Sequence, residues 1–235
     1  MNWRGSQAES RRRYLVKYDA EEVDRYDAWL LQRTREDEDA CLADIASAFQ
    51  FQPGMSVLDV GAGAGTLCRT LALIPGLSLT ALEPSPAMRA KLQAKHELQD
   101  VVVVDGFCDS DDDRLLFDQA AFDVIVSRQL ANGLFDPLAA FRNWRDWLKP
   151  GGSVLLIDGL FDRTDWAGRW QEEVDVLPQS ACRTMAMVPY LLEQVGFQIE
   201  SVGLMNATNA MSSATVVRYL VVASKPTSSI RSRFV

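Results

Sequence analysis

Apolar positions along the chain follow two rhythms. Short apolar runs at 56–60, 77–82, 101–104, 122–127 and 153–158 read as strands, and most of the gaps between them carry apolar residues three or four apart. Three of these gaps read as helices: 66–73; 86–95, with Met88 and Leu92 four apart; and 137–148, with Phe141, Trp144 and Leu148. Pro150-Gly151-Gly152 stops the last of them. Ahead of the first run, 21–36 and 37–50 read as helices, the second placing Cys41, Ile45 and Phe49 on one face before Pro53-Gly54 breaks it. Strand and helix in alternation predict an α/β fold, a mostly parallel sheet with helices on both faces.

The rhythm changes late in the chain. Residues 185–195 read as a helix, and 198–203 and 216–223 as two strands joined through the turn-rich 206–213, an antiparallel closing pair. The stretch 159–183, with Trp166 and Trp170, does not fit the alternation, and a cap inserted at about 160–183 is expected. The organisation is then an N-terminal helical lid segment at 1–50, a main domain at 51–225 and a disordered serine- and arginine-rich tail at 226–235.

Composition narrows the function. A chain of 235 residues with 48% hydrophobic content supports one main core. The net charge of −8 lacks the basic footprint that nucleic acid requires, so a small molecule is the expected partner, and the oligomeric state stays open. The polar start has no long apolar run behind it, which predicts neither a secretory signal nor a membrane span and places the protein in the cytoplasm. Cys41, Cys68, Cys108 and Cys182 are scattered without metal-ligand spacing, so reduced thiols and no metal are expected. The only histidine, His96, falls in a charged segment and reads as a surface residue. The acidic run 109–113 reads as a solvated loop.

The most informative segment is the strand Val57-Leu58-Asp59-Val60 running into Gly61-Ala62-Gly63-Ala64-Gly65 and then a helix. Glycines there let a ligand lie against the main chain. A dinucleotide site would place its third glycine at 66, where Thr66 stands, so the spacing is GxGxG. Glu83 closes the second apolar run in Leu82-Glu83-Pro84-Ser85, and a carboxylate at that strand tip can accept from both hydroxyls of a ribose.

With these two elements the chain resembles the class I methyltransferases dependent on S-adenosyl-L-methionine (AdoMet), well over residues 40–160 and loosely elsewhere. Asp105-Gly106-Phe107-Cys108, Phe122 to Ser127, Leu134-Phe135-Asp136-Pro137 and Leu148-Lys149-Pro150-Gly151-Gly152 resemble further family blocks in the right order. The resemblance implies a Rossmann-like sheet of seven strands with an antiparallel final strand, and AdoMet as cofactor. It also implies that Gly61, Ala62, Gly63 and Gly65 approach the methionine part, Asp59 holds its amino group, Glu83 with Pro84 takes the ribose, and Ser127 and Arg128 close the cofactor site.

Two departures qualify the likeness. Family members often read Gly-Asp after the third strand and use that aspartate for the adenine amine; here the order is Asp105-Gly106. Asp105 or Asp109 then takes the amine, or Phe107 packs on the ring beside a backbone carbonyl, or Phe107 is a core aromatic. After the fourth strand, many small-molecule members carry a histidine where Gln129 or Asn132-Gly133 stands. The same segment lacks the Asp/Asn-Pro-Pro-aromatic motif of many enzymes that methylate amino groups of macromolecules, which favours a small acceptor.

Methyl transfer from a sulfonium needs alignment more than a base. Asp158, at the end of the fifth strand, is the candidate catalytic carboxylate, with structuring of the next loop as its other role, and Asn132 is a candidate to orient the acceptor. Tyr14, Tyr18, Tyr26 and Trp29, with Trp166 and Trp170, are candidates for an aromatic lid, with core packing as the alternative. N- or O-methylation of a small molecule is the leading expectation. A nucleotide-binding dehydrogenase and a non-catalytic AdoMet-binding partner are the competing ones.

Overall fold

Seven strands hydrogen-bond in the order β3-β2-β1-β4-β5-β7-β6, in a computed structural model that describes residues 3–30, 35–166, 174 and 176–227, apart from the side chains of 3–6, 29 and 166. The strands are β1 (Ser56–Val60), β2 (Ser78–Leu82), β3 (Val102–Val104), β4 (Phe122–Arg128), β5 (Leu148–Gly159), β6 (Gln198–Leu204) and β7 (Arg218–Ser224). β1 pairs in parallel with β2 and β4, and the parallel pairing continues to β3 on one side and β5 on the other. β7 runs antiparallel to both β5 and β6. The expected sheet and its antiparallel closing pair are both present.

Helices cover both faces: α1 (Trp3–Lys17), α2 (Ala20–Leu30), α3 (Arg35–Ala48), α4 (Thr66–Leu71), α5 (Pro86–Gln93), α6 (Pro137–Trp147), α7 (Met187–Gln194) and the single turn α8 (Asn206–Asn209). Side-chain alternation splits the sheet's apolar residues between two cores. Ile125, Val154 and Leu156 join Phe141, Trp144 and Trp147 of α6 on one face. Val124, Val126, Leu155 and Ile157 join Cys41 and Ile45 of α3 and Leu67 and Leu71 of α4 on the other.

The sequence boundaries shift where tertiary contacts decide them. The expected helix at 21–36 is helical over Ala20–Leu30 and again from Arg35, with 31–34 outside the described residues. β5 begins at Leu148, so Pro150-Gly151-Gly152 lies within the strand, where the register against β4 slips between Phe122 and Val124. The turn-rich 206–213 contains α8, whose N-terminal amides at Ala207 and Thr208 are capped by Asp44 of α3 at 3.0 and 2.7 Å. The expected cap is described only in part, and Trp170 lies outside the described residues, as does 228–235 of the expected tail. Among the described residues no helix is long and apolar enough to cross a membrane.

Strand order reverses between β1 and β4. The crevice at the carboxyl ends of these strands is where open α/β sheets bind ligands.

Candidate active site

A cavity of about 410 Å³ opens at that crevice. Its floor is the turn after β1, its sides are the tips of β2 and β4, and its roof is α1 and α2.

Gly61, Ala62 and Gly63 line the floor. Gly63 has φ +55°, and a Cβ built there would meet nothing within 4 Å, because it would stand in the open cavity. Gly65 lies one turn further, at φ +86°; a Cβ there would come within 2.7 Å of Leu98 and 2.9 Å of Leu92. Gly65 therefore belongs to helix packing and not to the ligand contact expected of it. Lys95 steadies this turn from below, its ammonium donating to the Ala64 carbonyl at 2.8 Å and to Asp27 of α2 at 3.0 Å.

Two buried carboxylates face the cavity from adjacent strands. Asp59 is 2% exposed; its Oδ2 accepts from the Cys68 thiol at 3.1 Å, while its Oδ1 is buried with no hydrogen-bond partner. Burial, aided by repulsion from Glu83, pushes its pKa up to about 7 against the opposing pull of Cys68 and Arg128. An orphaned carboxylate oxygen in such a place is costly unless a ligand completes it. Glu83 is 1% exposed and accepts from the Ser85 amide at 2.8 Å, the Gly63 amide at 2.9 Å and the Tyr14 hydroxyl at 3.3 Å. Burial raises its pKa too, against those same amides. Pro84 lines the cavity beside it.

At the third strand the open alternatives separate. Asp105 does not line the cavity: its carboxylate is 68% exposed and pairs with Arg89 at 2.7 Å. Asp109 does line it, and so does Phe107, whose ring carries the Arg11 guanidinium 4.6 Å above its centroid. Gly106 lines it as well, although a Cβ there would collide with Leu116 at 2.6 Å. The acidic run 109–113 is only partly the solvated segment expected: Asp111 and Asp112 are exposed, whereas its two ends are not. Asp109 and Asp113 each pair with Arg11 at 2.5 Å, with side chains 9% and 12% exposed. These pairs fix α1, 98 and 102 residues away in sequence, over the cavity.

On β4, Arg128 lines the cavity, whereas Ser127 is fully buried and spends its hydroxyl on the Val60 carbonyl at 3.1 Å, bracing β4 against β1. Gln129 then turns the chain with φ +55°, uncommon for a side chain with a Cβ, and Leu130 folds back over Gly61. Asn132 lines the cavity and is 7% exposed.

Asp158, the candidate base, does not line the cavity. It sits behind the wall, 2% exposed, accepting from the Asn132 amide at 3.0 Å and its neighbour's amide at Gly159 at 2.7 Å. Burial lifts its pKa to about 6, while those amides and Arg218 pull it down. The geometry gives it the loop-structuring role and not contact with an acceptor.

Three of the aromatics expected for a lid lie at the cavity, and two of them, Tyr18 and Tyr26, also pack against the cluster of Val23, Leu30, Ala64 and Met88, as the core-packing alternative has it. Tyr14, Tyr18 and Tyr26 line the cavity, Tyr14 and Tyr18 packing with ring centroids 4.6 Å apart. Trp29 lies on α2 and Trp166 in a short 3₁₀ turn, but their side chains, like all of Trp170, lie outside the described residues. Val174, Leu177 and Ser180 bring the cap to the same cavity. Sequence reasoning missed Arg11 as a structural element, although Arg11-Arg12-Arg13 and the acidic run are complementary in charge. His96 is exposed, as expected, and no group of His, Cys, Asp and Glu among the described residues could hold a metal ion.

Comparisons with known proteins follow the same lines. A ubiquinone biosynthesis O-methyltransferase of Xanthomonas campestris pv. campestris is 34% identical over 113 residues, which are 48% of this chain and 46% of that protein. The chain thus spans about half the length of the curated relatives it matches. Among solved structures, phosphoethanolamine N-methyltransferase 2 of Haemonchus contortus superposes with a TM-score of 0.65 at 18% identity, covering 89% of this chain and 58% of that one. An Aquifex aeolicus SAM-dependent methyltransferase gives 0.62 at 20% identity, covering 89% of this chain and 100% of that one. At such identities these two speak for the fold alone. A family model described as a methyltransferase domain matches residues 31–202, and with that span, this sheet order and this glycine turn the chain belongs to the methyltransferase-domain family.

Proposed function

We propose that the protein is an AdoMet-dependent methyltransferase whose acceptor is a small molecule, methylated on nitrogen or oxygen. The observation that carries this reading is the buried, unpartnered Asp59 Oδ1, set in the same cavity as the Glu83 carboxylate and the open face of Gly63. These groups fit AdoMet: an anionic oxygen for its ammonium, a carboxylate for its ribose hydroxyls and bare backbone for its chain. Phe107 offers a face for the adenine, with Asp109 beside it.

When bound, AdoMet supplies a methyl group already activated as a sulfonium substituent. What the chain contributes is placement and exclusion of water. Tyr18, Tyr26, Leu134, Phe135 and Leu177 give the cavity an apolar lining, against which Asn132 presents an amide that can orient a polar acceptor group. Holding the reacting partners in line lowers a barrier by roughly 7–11 kcal/mol in favourable intramolecular cases. Asp158, sealed behind the Asn132 turn, is held back from the acceptor. The roof of α1 and α2 over a cavity of about 410 Å³ supports a small acceptor.

The test is transfer of labelled methyl from AdoMet to a panel of amines, phenols and indoles, run beside protein and nucleic-acid fractions. Label in the small molecules supports the reading, and label confined to macromolecules contradicts it.

A further inference from the structure

We infer that α1 is an autoinhibitory plug: docked as it is here, it rests on the Glu83 and Phe107 side chains that the nucleoside part of AdoMet needs, so that its docking and cofactor binding exclude each other. The inference rests on the reading of the cavity as an AdoMet site and adds to it a gate that the cofactor must open.

The anchors of α1 fall on groups of the cavity itself. The Tyr14 hydroxyl donates to Glu83 Oε1 at 3.3 Å. The Arg11 guanidinium lies 4.6 Å from the Phe107 centroid, and the Tyr14 ring meets the same Phe107 edge-on with centroids 5.9 Å apart. Beside them Arg11 pairs with Asp109 and Asp113, and the Gln7 side-chain amide donates to the Asp109 carbonyl. The rest of the helix adds little grip. None of residues 7–17 is fully buried, and the two aliphatic side chains Leu15 and Val16 face solvent.

A count of acceptor sites shows why Tyr14 and a ribose compete. An ionised carboxylate offers about four lone-pair sites. On Glu83 the Gly63 and Ser85 amides take two and the Tyr14 hydroxyl a third. A ribose brings two hydroxyls to the one site left, so both can bond only after Tyr14 withdraws. The amides belong to the cavity wall and stay; the hydroxyl belongs to the roof and can leave. Phe107 is contested in the same way, because the guanidinium and the tyrosine ring lie against the ring on which adenine would pack. A helix held by a few polar contacts opens at low cost, and a ligand that binds only the opened form shifts the population toward it. Its apparent affinity is reduced by the fraction of chains that are open. Closure over donor and acceptor together is then a later arrangement, in which α1 covers the filled cavity without holding Glu83.

The experiment pairs amide exchange over residues 7–17 with calorimetric titration, on the full chain and on Tyr14→Phe, with AdoMet, 5′-methylthioadenosine and free methionine as separate probes and no acceptor present. AdoMet and methylthioadenosine, which share the ribose and adenine, should each quicken exchange over α1 about tenfold or more while the central strands stay protected. Methionine should leave α1 as it was. Tyr14→Phe keeps the ring and loses only the bond to Glu83, so it should bind AdoMet about threefold to tenfold more tightly than the native chain. Slower or unchanged exchange over α1 with AdoMet alone would overturn the inference, as would equal release by methionine. Unchanged or weaker AdoMet binding by Tyr14→Phe would also overturn it, since Tyr14 would then not compete with the cofactor. A native chain that binds neither AdoMet nor methylthioadenosine, together with a Tyr14→Phe chain that binds neither, would overturn the AdoMet reading itself, a result distinct from binding with α1 still docked.

Discussion

The Tyr14 hydroxyl of α1 donates to Glu83 Oε1 at the tip of β2 across 3.3 Å, joining the roof of the cavity to its wall. The Glu83 carboxylate also takes the amides of Gly63 and Ser85, so it is aligned before any ligand arrives. Replacing Glu83 by Ala should weaken AdoMet binding by about 1.5–3 kcal/mol, the range for hydrogen bonds to a charged group. Titration calorimetry on the folded variant checks this, and unchanged affinity would remove Glu83 from the site.

Two glycines of one turn should fail in opposite ways. Gly63→Val puts its branch into open cavity, so AdoMet binding should be lost while the fold survives with a backbone strain of about 1–2 kcal/mol. Gly65→Val instead drives into Leu92 and Leu98, and should lower the melting temperature far more. Melting curves and binding measured on both variants separate the two roles.

Protonation of Asp59 should oppose the cofactor. Its pKa near 7 lies above the ordinary 3.8 because burial disfavours the charge, so the folded chain holds a proton there that the unfolded chain has released. Between those values the sign is that stability contributed by this group falls as pH rises, and Asp158, with its pKa near 6, adds in the same direction. AdoMet needs the ionised form, so its affinity should climb by up to about tenfold per pH unit from pH 5 and level off above 7. In Asp59→Asn the climb should flatten and binding should be weak throughout; a native-like slope in that variant would show that another group titrates.

The roof should respond to both its latch and its ligand. Arg11→Ala removes the pairs to Asp109 and Asp113, and amide exchange over α1 should quicken about tenfold or more while the central strands stay protected. AdoMet with acceptor should slow exchange from Tyr14 to Tyr26 in the native chain, since closing a site orders the segment that seals it. An exchange pattern indifferent to ligand would make these tyrosines simple packing.

How much of this was legible in the sequence depends on how local the cause was. β1 and β4 are central strands whose apolar runs state their burial, and Glu83 could be placed because one strand tip lies beside the next. α1 was not legible as a helix, because its sequence has no apolar stripe and its position depends on Arg11 meeting acidic residues about a hundred positions away. Asp158 was placed correctly at the end of β5. Which side of the cavity wall it occupies was decided by the turn at Asn132, which has no periodicity to read. Gly65 shows the same limit: its φ was foreseeable, but the Leu92 and Leu98 side chains that fill its space were not.

The central claim is that this cavity is an AdoMet site. Titration of the full chain with AdoMet, followed by the same titration with NAD, tests it most directly. The account predicts one saturable AdoMet site per chain, lost in Gly63→Val, and no comparable uptake of NAD. Tight binding of NAD with none of AdoMet would contradict it and return the glycine turn to the dinucleotide-binding class.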